Sequence, residues 1–111
     1  MLTLYQAEWC PYSSSVRERL TELGIDFVAR QVAPEQEDRD ALRDRTGTDE
    51  IPVLETENGQ FVQGTRAIFA YLGRFEPPED ARGHRRQYHA HREARERDAP
   101  GQILERAAPL D

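Results

Sequence analysis

The residues best able to do chemistry in this chain stand together in "AEWCPYSSSVRERL", residues 7–20. Cys10 is the single cysteine, set between Trp9 and Pro11 and followed by Tyr12 and Ser13. A thiol is a weak nucleophile and its thiolate a strong one. The start of a helix offers unpaired N–H groups and a partial positive charge that favour the thiolate. Pro11 suits a first helical turn, where its missing N–H would have no partner anyway. The N–H groups of Tyr12 and Ser13 are then left to face the sulfur, with the Ser13 hydroxyl as a further donor. The spacing is that of a C-x-x-C redox motif whose second cysteine has become serine. Without that second thiol a mixed disulfide on Cys10 cannot be resolved internally, so a small external thiol must do it. The plainer alternative is a buried, inert cysteine at the end of a strand.

The elements that must position Cys10 follow from hydropathy patterning. "LTLYQA" alternates apolar and polar residues and predicts a strand. Val16, Leu20 and Leu23, spaced i, i+4 and i+7, predict a helix with one core-facing stripe, stopped by Gly24. "IDFVARQV", with Ile25, Phe27 and Val32, predicts a second strand parallel to the first through that helix. Pro34 and the acidic run "EQEDRDALRDRTG" predict one further helix ended by Gly47, with acidic residues in its first turns and only Ala41 and Leu42 for apolar contact. "IPVLETENGQFVQG" reads as a hairpin: Ile51 to Thr56, a turn at Glu57 to Gln60, and a short strand through Phe61 and Val62. Thr65 is expected to cap a third helix whose packing residues are Ile68, Phe69, Tyr71 and Leu72. Strands separated by helices early and a hairpin late describe a small mixed α/β sheet with helices on its faces.

Length and charge narrow the function classes. The 111 residues suffice for one compact core, and a net charge of −6 argues against nonspecific nucleic-acid binding, which needs a basic excess. No apolar run reaches bilayer length, and "MLTLYQ" does not read as a secretory leader. One cysteine allows no internal disulfide, which fits a reducing cytoplasm. After Pro77-Pro78 the composition changes: residues 79–111 hold seven acidic residues and seven arginines, so the −6 belongs to the part before them. "ARGHRRQYHAHREARER" is read as a solvated helix, a frayed tail or a partner-binding segment. His84, His89 and His91 have poor spacing for a metal on a helix, and no metal is expected.

With these residues in place, the chain resembles the glutaredoxin family of the thioredoxin-like fold over roughly residues 1–75. "WCPYS" resembles that family's active-site motif in its monothiol form. "TDEIPVL" resembles the loop in which a cis proline opens the third strand, here Ile51-Pro52. "VQGTRAIFAYL" resembles the segment that holds the γ-glutamyl end of glutathione, and is similar to the corresponding segment of glutathione transferase N-terminal domains. The resemblance implies a β-α-β-α-β-β-α order with a four-stranded mixed sheet and helices on both faces. It implies Cys10 as nucleophile, Ser13 in the resolving position, and Tyr12 beside the bound tripeptide. Ile51, before Pro52, would pair its backbone with the ligand's cysteinyl part, and Gly64, Thr65 and Arg66 would receive the γ-glutamyl carboxylate at a helix start. Trp9 either lines the groove with Pro11 or packs on the sheet. The chain departs from the pattern at Ala7, where glutaredoxins commonly carry lysine, and at "QGTR", where Gly-Gly and an acidic residue are usual.

The expected protein is a thiol-disulfide oxidoreductase that reduces mixed disulfides between proteins and a small thiol, glutathione or another of low molecular weight. It is expected as a cytoplasmic monomer, with residues 1–78 as the domain and 79–111 as a charged extension. Its partners are the small thiol and thiolated or disulfide-bearing proteins, with no nucleic acid and no membrane. Two other readings are an iron–sulfur cluster carrier, dimeric through Cys10, and a non-enzymatic thiol-binding module. Pro11 stiffens the loop that a cluster would need to open. The 33 residues after Pro78 are too few for the all-helical second domain of a transferase, so a full transferase is not expected.

Overall fold

The computed structural model describes residues 1–91; the rest of the expected extension, 92–111, lies outside the described residues. Four strands and four helices follow in the order β1 (Leu2–Gln6), α1 (Pro11–Glu22), β2 (Phe27–Gln31), α2 (Asp40–Thr46), β3 (Val53–Glu55), β4 (Phe61–Gln63), α3 (Thr65–Leu72) and α4 (Ala81–His91). The sheet order is β2-β1-β3-β4. β1 runs parallel to β2 and antiparallel to β3, and β3 antiparallel to β4. This is the mixed sheet that the hydropathy pattern predicts, in the thioredoxin-like arrangement that the resemblance implies.

Period-two alternation places Leu2, Leu4 and Gln6 of β1 on one face, all buried. Leu2 and Leu4 join Val16 and Leu20 of α1, Leu54 of β3, and Ile68 and Leu72 of α3 in one core. Each such leucine contributes about 1.5–3 kcal/mol relative to an exposed side chain. Tyr5 and Glu55 point to the opposite face, where the Tyr5 hydroxyl donates to Glu55 (2.8 Å) and Arg45 of α2 pairs with the same carboxylate (2.9 Å). Helices therefore cover both faces.

α1 stops where Gly24 adopts φ +67°, a left-handed conformation that costs a side-chain-free residue little. The Gly24 N–H donates to Thr21 O and the Ile25 N–H to Leu20 O, the paired bonds of a Schellman motif.

Three expectations need correction. The acidic run is not one helix: a 3-10 turn at Gln36–Asp38 precedes α2, and the two are separated at Arg39. Arg39 leaves helical geometry (φ −91°, ψ 45°) while its side chain turns inward to bond three main-chain carbonyls. Thr65 does not cap α3; it is the first helical residue, and Gly64 is the cap, with φ +93°. The chain must turn sharply out of β4 there, and that φ favours glycine. Phe69 is not a core residue but 41% exposed, because Ile68 and Leu72 already hold the i, i+4 positions that face the sheet.

The charged segment after Pro78 forms α4 as far as His91, with no buried residue. It is held to α1 by Arg85, which donates to both carboxylate oxygens of Glu22 (3.1 and 3.0 Å). Among the described residues no helix is long and apolar enough to cross a membrane.

Candidate active site

The strand register brings the distant motifs to one end of the sheet. Gln6 at the end of β1 lies opposite Gln31 at the end of β2, Tyr5 lies opposite Val53 at the start of β3, and Val53 opposite Gln63 at the end of β4. The segments just beyond these residues are Ala7–Cys10, Val32–Pro34, Asp49–Pro52 and Gly64–Arg66. Every sequence-predicted site residue is in one of these segments or in the first turn of α1.

Cys10 is the N-cap of α1, with extended backbone (φ −78°, ψ 119°) and Pro11 opening the helix. Its N–H donates to Ala7 O (3.1 Å) and its carbonyl accepts from Ser14 N–H (3.0 Å). The residue is only 5% exposed. Cys10 makes no side-chain cap hydrogen bond; its burial pushes the thiol up, but the nearby Ser13 N–H, Ser13 hydroxyl and Tyr12 N–H favour the thiolate, and the Arg39 charge adds to them. The sum holds Cys10 below the ordinary cysteine range. Ser13 is fully buried, and its Oγ also accepts from the Ala7 N–H (3.5 Å). Trp9 and Tyr12 stand on either side of Cys10 in sequence, both 64% exposed, so neither belongs to the core.

The second and third motifs meet directly. The Ile51-Pro52 peptide bond is cis, Pro52 is buried and Ile51 half-buried. The Gly64 N–H donates to Pro52 O (3.0 Å), joining the loop before β3 to the start of α3. Thr65 is half-buried and Arg66 exposed. An α-helix start with an exposed cation beside it suits a carboxylate on electrostatic grounds.

Sequence reasoning missed two supports. Gln6 is fully buried; it donates to Gln31 Oε1 (3.2 Å) and accepts from Arg17, which also reaches Ala7 O (3.5 Å) and pairs with Glu8 (3.2 Å). This network braces the turn that carries Cys10. The inward phase of Leu2 and Leu4 puts Gln6 on the core side, so the signal was present in the alternation. Arg39 is the other, 7% exposed, and nothing in an acidic run marks one arginine as buried.

Comparisons with known proteins bear on the same residues. The family model described as "Glutathione S-transferase, N-terminal domain" matches residues 4–80. No curated protein sequence matches the chain. Among solved structures, a glutathione transferase family member from Pseudomonas fluorescens with bound glutathione is 31% identical, with a TM-score of 0.56, over 81% of this chain and 49% of its own. A glutathione S-transferase from Sinorhizobium meliloti is 27% identical, with a TM-score of 0.60, over 67% of this chain and 32% of its own. Glutaredoxin 2 from Salmonella typhimurium, in complex with glutathione, shares the fold at 17% identity and a TM-score of 0.58, over 65% of this chain and 32% of its own. The chain thus spans a third to a half of the length of these proteins.

Proposed function

The chain belongs to the family of glutathione S-transferase N-terminal domains, and from that premise we propose that it is a monothiol thiol-disulfide oxidoreductase using glutathione or a similar small thiol as co-substrate. The observation that carries this reading is the placement of Cys10: one sulfur at the N-cap of a helix opened by Pro11, with its burial outweighed by the Ser13 and Tyr12 donors of the first turn. Neighbouring structures that hold glutathione support the class of co-substrate.

The reaction has two exchanges. The Cys10 thiolate attacks the small-thiol sulfur of a protein mixed disulfide; the S–S bond breaks, the protein leaves as thiolate and takes a proton from water. Cys10 now carries the small thiol in a disulfide. A second small thiol, as thiolate, attacks that carried sulfur and releases Cys10 as thiolate with the symmetrical small disulfide. Donors already aimed at the sulfur stabilise Cys10 both as nucleophile and as leaving group. Ser13 serves as donor to the sulfur. Trp9, Pro11 and Tyr12 form one wall of the groove. Ile51 beside Pro52 offers its backbone to the ligand as a strand would, and Gly64, Thr65 and Arg66 receive a carboxylate. In this reading residues 1–78 form the working domain, cytoplasmic and monomeric, and 79–111 an extension.

Intact mass after incubation with a panel of oxidised small thiols, glutathione disulfide included, tests the reading. One dominant adduct, absent in Cys10→Ser and removed by the matching free thiol, is expected. No adduct with any disulfide would overturn it in favour of a binding module.

A further inference from the structure

Arg39 is a buried cation whose counter-charge is not supplied by a carboxylate among the described residues. Its Nε donates to Ala33 O (2.8 Å), Nη1 to Asp49 O (3.0 Å) and Nη2 to Pro34 O (3.1 Å). Those three bonds tie the segment after β2 to the loop that leads into Pro52, at the end of the sheet where Cys10 lies. The other arginines of this region are matched differently. Arg17 has Glu8, Arg43 has Asp40 and Asp49, and Arg45 has Glu55. Carbonyl dipoles satisfy the N–H groups of Arg39 but do not neutralise it, and a buried charge without a counter-charge is costly.

We propose that Arg39, held by these three main-chain bonds at the end of β1 where Cys10 lies, takes the Cys10 thiolate as its counter-charge and so acts on the reaction through Cys10. This rests on the reading of Cys10 as a nucleophile. The groups around Arg39 leave that role open. Asp38 and Arg30 line the same cleft, of about 240 Å³, and balance one another in charge. The Asp49 carboxylate is engaged by Arg43 and Gln36. Tyr5, also on the cleft, gives its hydroxyl to Glu55. The direction of the Cys10 shift agrees, since the Arg39 charge is among its causes.

The test is the rate of Cys10 alkylation by iodoacetamide against pH, read by intact mass on the full chain. Wild type is compared with Arg39→Gln, which removes the charge, and Arg39→Lys, which keeps the charge and loses the planar fork. Thermal melts establish that each variant is folded. Arg39→Gln is expected to alkylate about three-fold more slowly at pH 7 with its profile displaced to higher pH, while Arg39→Lys follows wild type. A Gln profile that coincides with wild type would overturn the proposal, as would a Lys profile displaced as far as that of Gln. Should Arg39→Gln not fold, the Lys profile decides alone: coincidence with wild type supports the counter-charge, displacement overturns it. A wild-type profile with the midpoint of a free thiol, about 8.5, would sink the nucleophile reading itself and this inference with it.

Discussion

The two ends of α1 solve the same problem, an acidic group out of water, in opposite ways. At the N-terminus Cys10 stands among helix N–H groups and the Ser13 hydroxyl, within the field of the Arg39 charge, with no guanidinium bonded to it. At the C-terminus Glu22, 3% exposed, is met by two arginines, Arg19 from its own helix (3.0 Å) and Arg85 from α4. Bonds from Arg85 chiefly hold Glu22 below the usual carboxylate range; burial opposes them and Arg19 assists. The first arrangement favours an anion yet leaves its sulfur free to form a covalent bond. The second closes the anion on both oxygens and leaves it nothing further to do. Burial of an ionisable group is thus no mark of a site in this fold; what matters is whether the donors saturate it.

The largest effects should separate the two ends completely. Cys10→Ser should abolish small-thiol adducts and leave the melting temperature at neutral pH nearly unchanged. Glu22→Ala should leave adduct formation intact and cost about 1–2 kcal/mol of stability by urea unfolding, a moderate loss because its arginine partners are partly exposed and can resolvate. If Glu22→Ala also slowed alkylation of Cys10, the ends would be coupled through the helix and the contrast would fail.

A smaller effect isolates the donors at the N-terminus. Ser13→Ala removes a hydroxyl that favours the Cys10 thiolate and an acceptor for the Ala7 N–H. Alkylation at pH 7 should slow by about three- to ten-fold, the equivalent of roughly 1 kcal/mol for one such bond. An unchanged rate would place the stabilisation in the backbone N–H groups and the Arg39 charge.

The pH dependence of stability distinguishes the ends in different windows. Both groups have folded pKa values below their unfolded ones, so each stabilises the fold fully above its unfolded value and loses that contribution as pH falls through the folded one. For Glu22 the loss lies below about pH 4.5; for Cys10 it begins below about pH 9.0. In melts across pH, the advantage of wild type over Glu22→Gln should shrink in acid. The advantage over Cys10→Ser should grow from neutral pH to 9. A flat second difference would mean an unactivated thiol.

The smallest effect is expected from Arg85→Ala, because that guanidinium is largely exposed and Arg19 stays on Glu22. The melting temperature should fall by less than in Glu22→Ala, and the difference should vanish at high salt. A drop that persists in salt would show that α4 is held by more than this pair.

Much of the scaffold was legible because its signals are local. Leu2 and Leu4 at period two, Val16 and Leu20 at i, i+4, Pro11 at a helix start and Gly24 and Gly47 at helix ends act within a few residues of themselves. The placement of the candidate site was legible in part for the same reason: Cys10, Pro11 and Ser13 share one turn. The single helix expected over the acidic run was wrong because Arg39 prefers three carbonyls five to ten residues away over a place in a regular helix. The cap at Thr65 was wrong because residue type suggested it, while backbone direction out of β4 required Gly64.

The sequence by itself determined the order of elements, the helix-start placement of the only cysteine and the absence of a second thiol beside it. Each of these depends on neighbours within one or two turns. Only the tertiary structure decided that Gly64 would bond Pro52, that Arg39 would be buried at the Cys10 end, and that Glu22 would be closed by an arginine 63 residues away. Those outcomes depend on which segments the sheet brings side by side, and the balance between hydrating a charge and bonding it inside is set only once they are there.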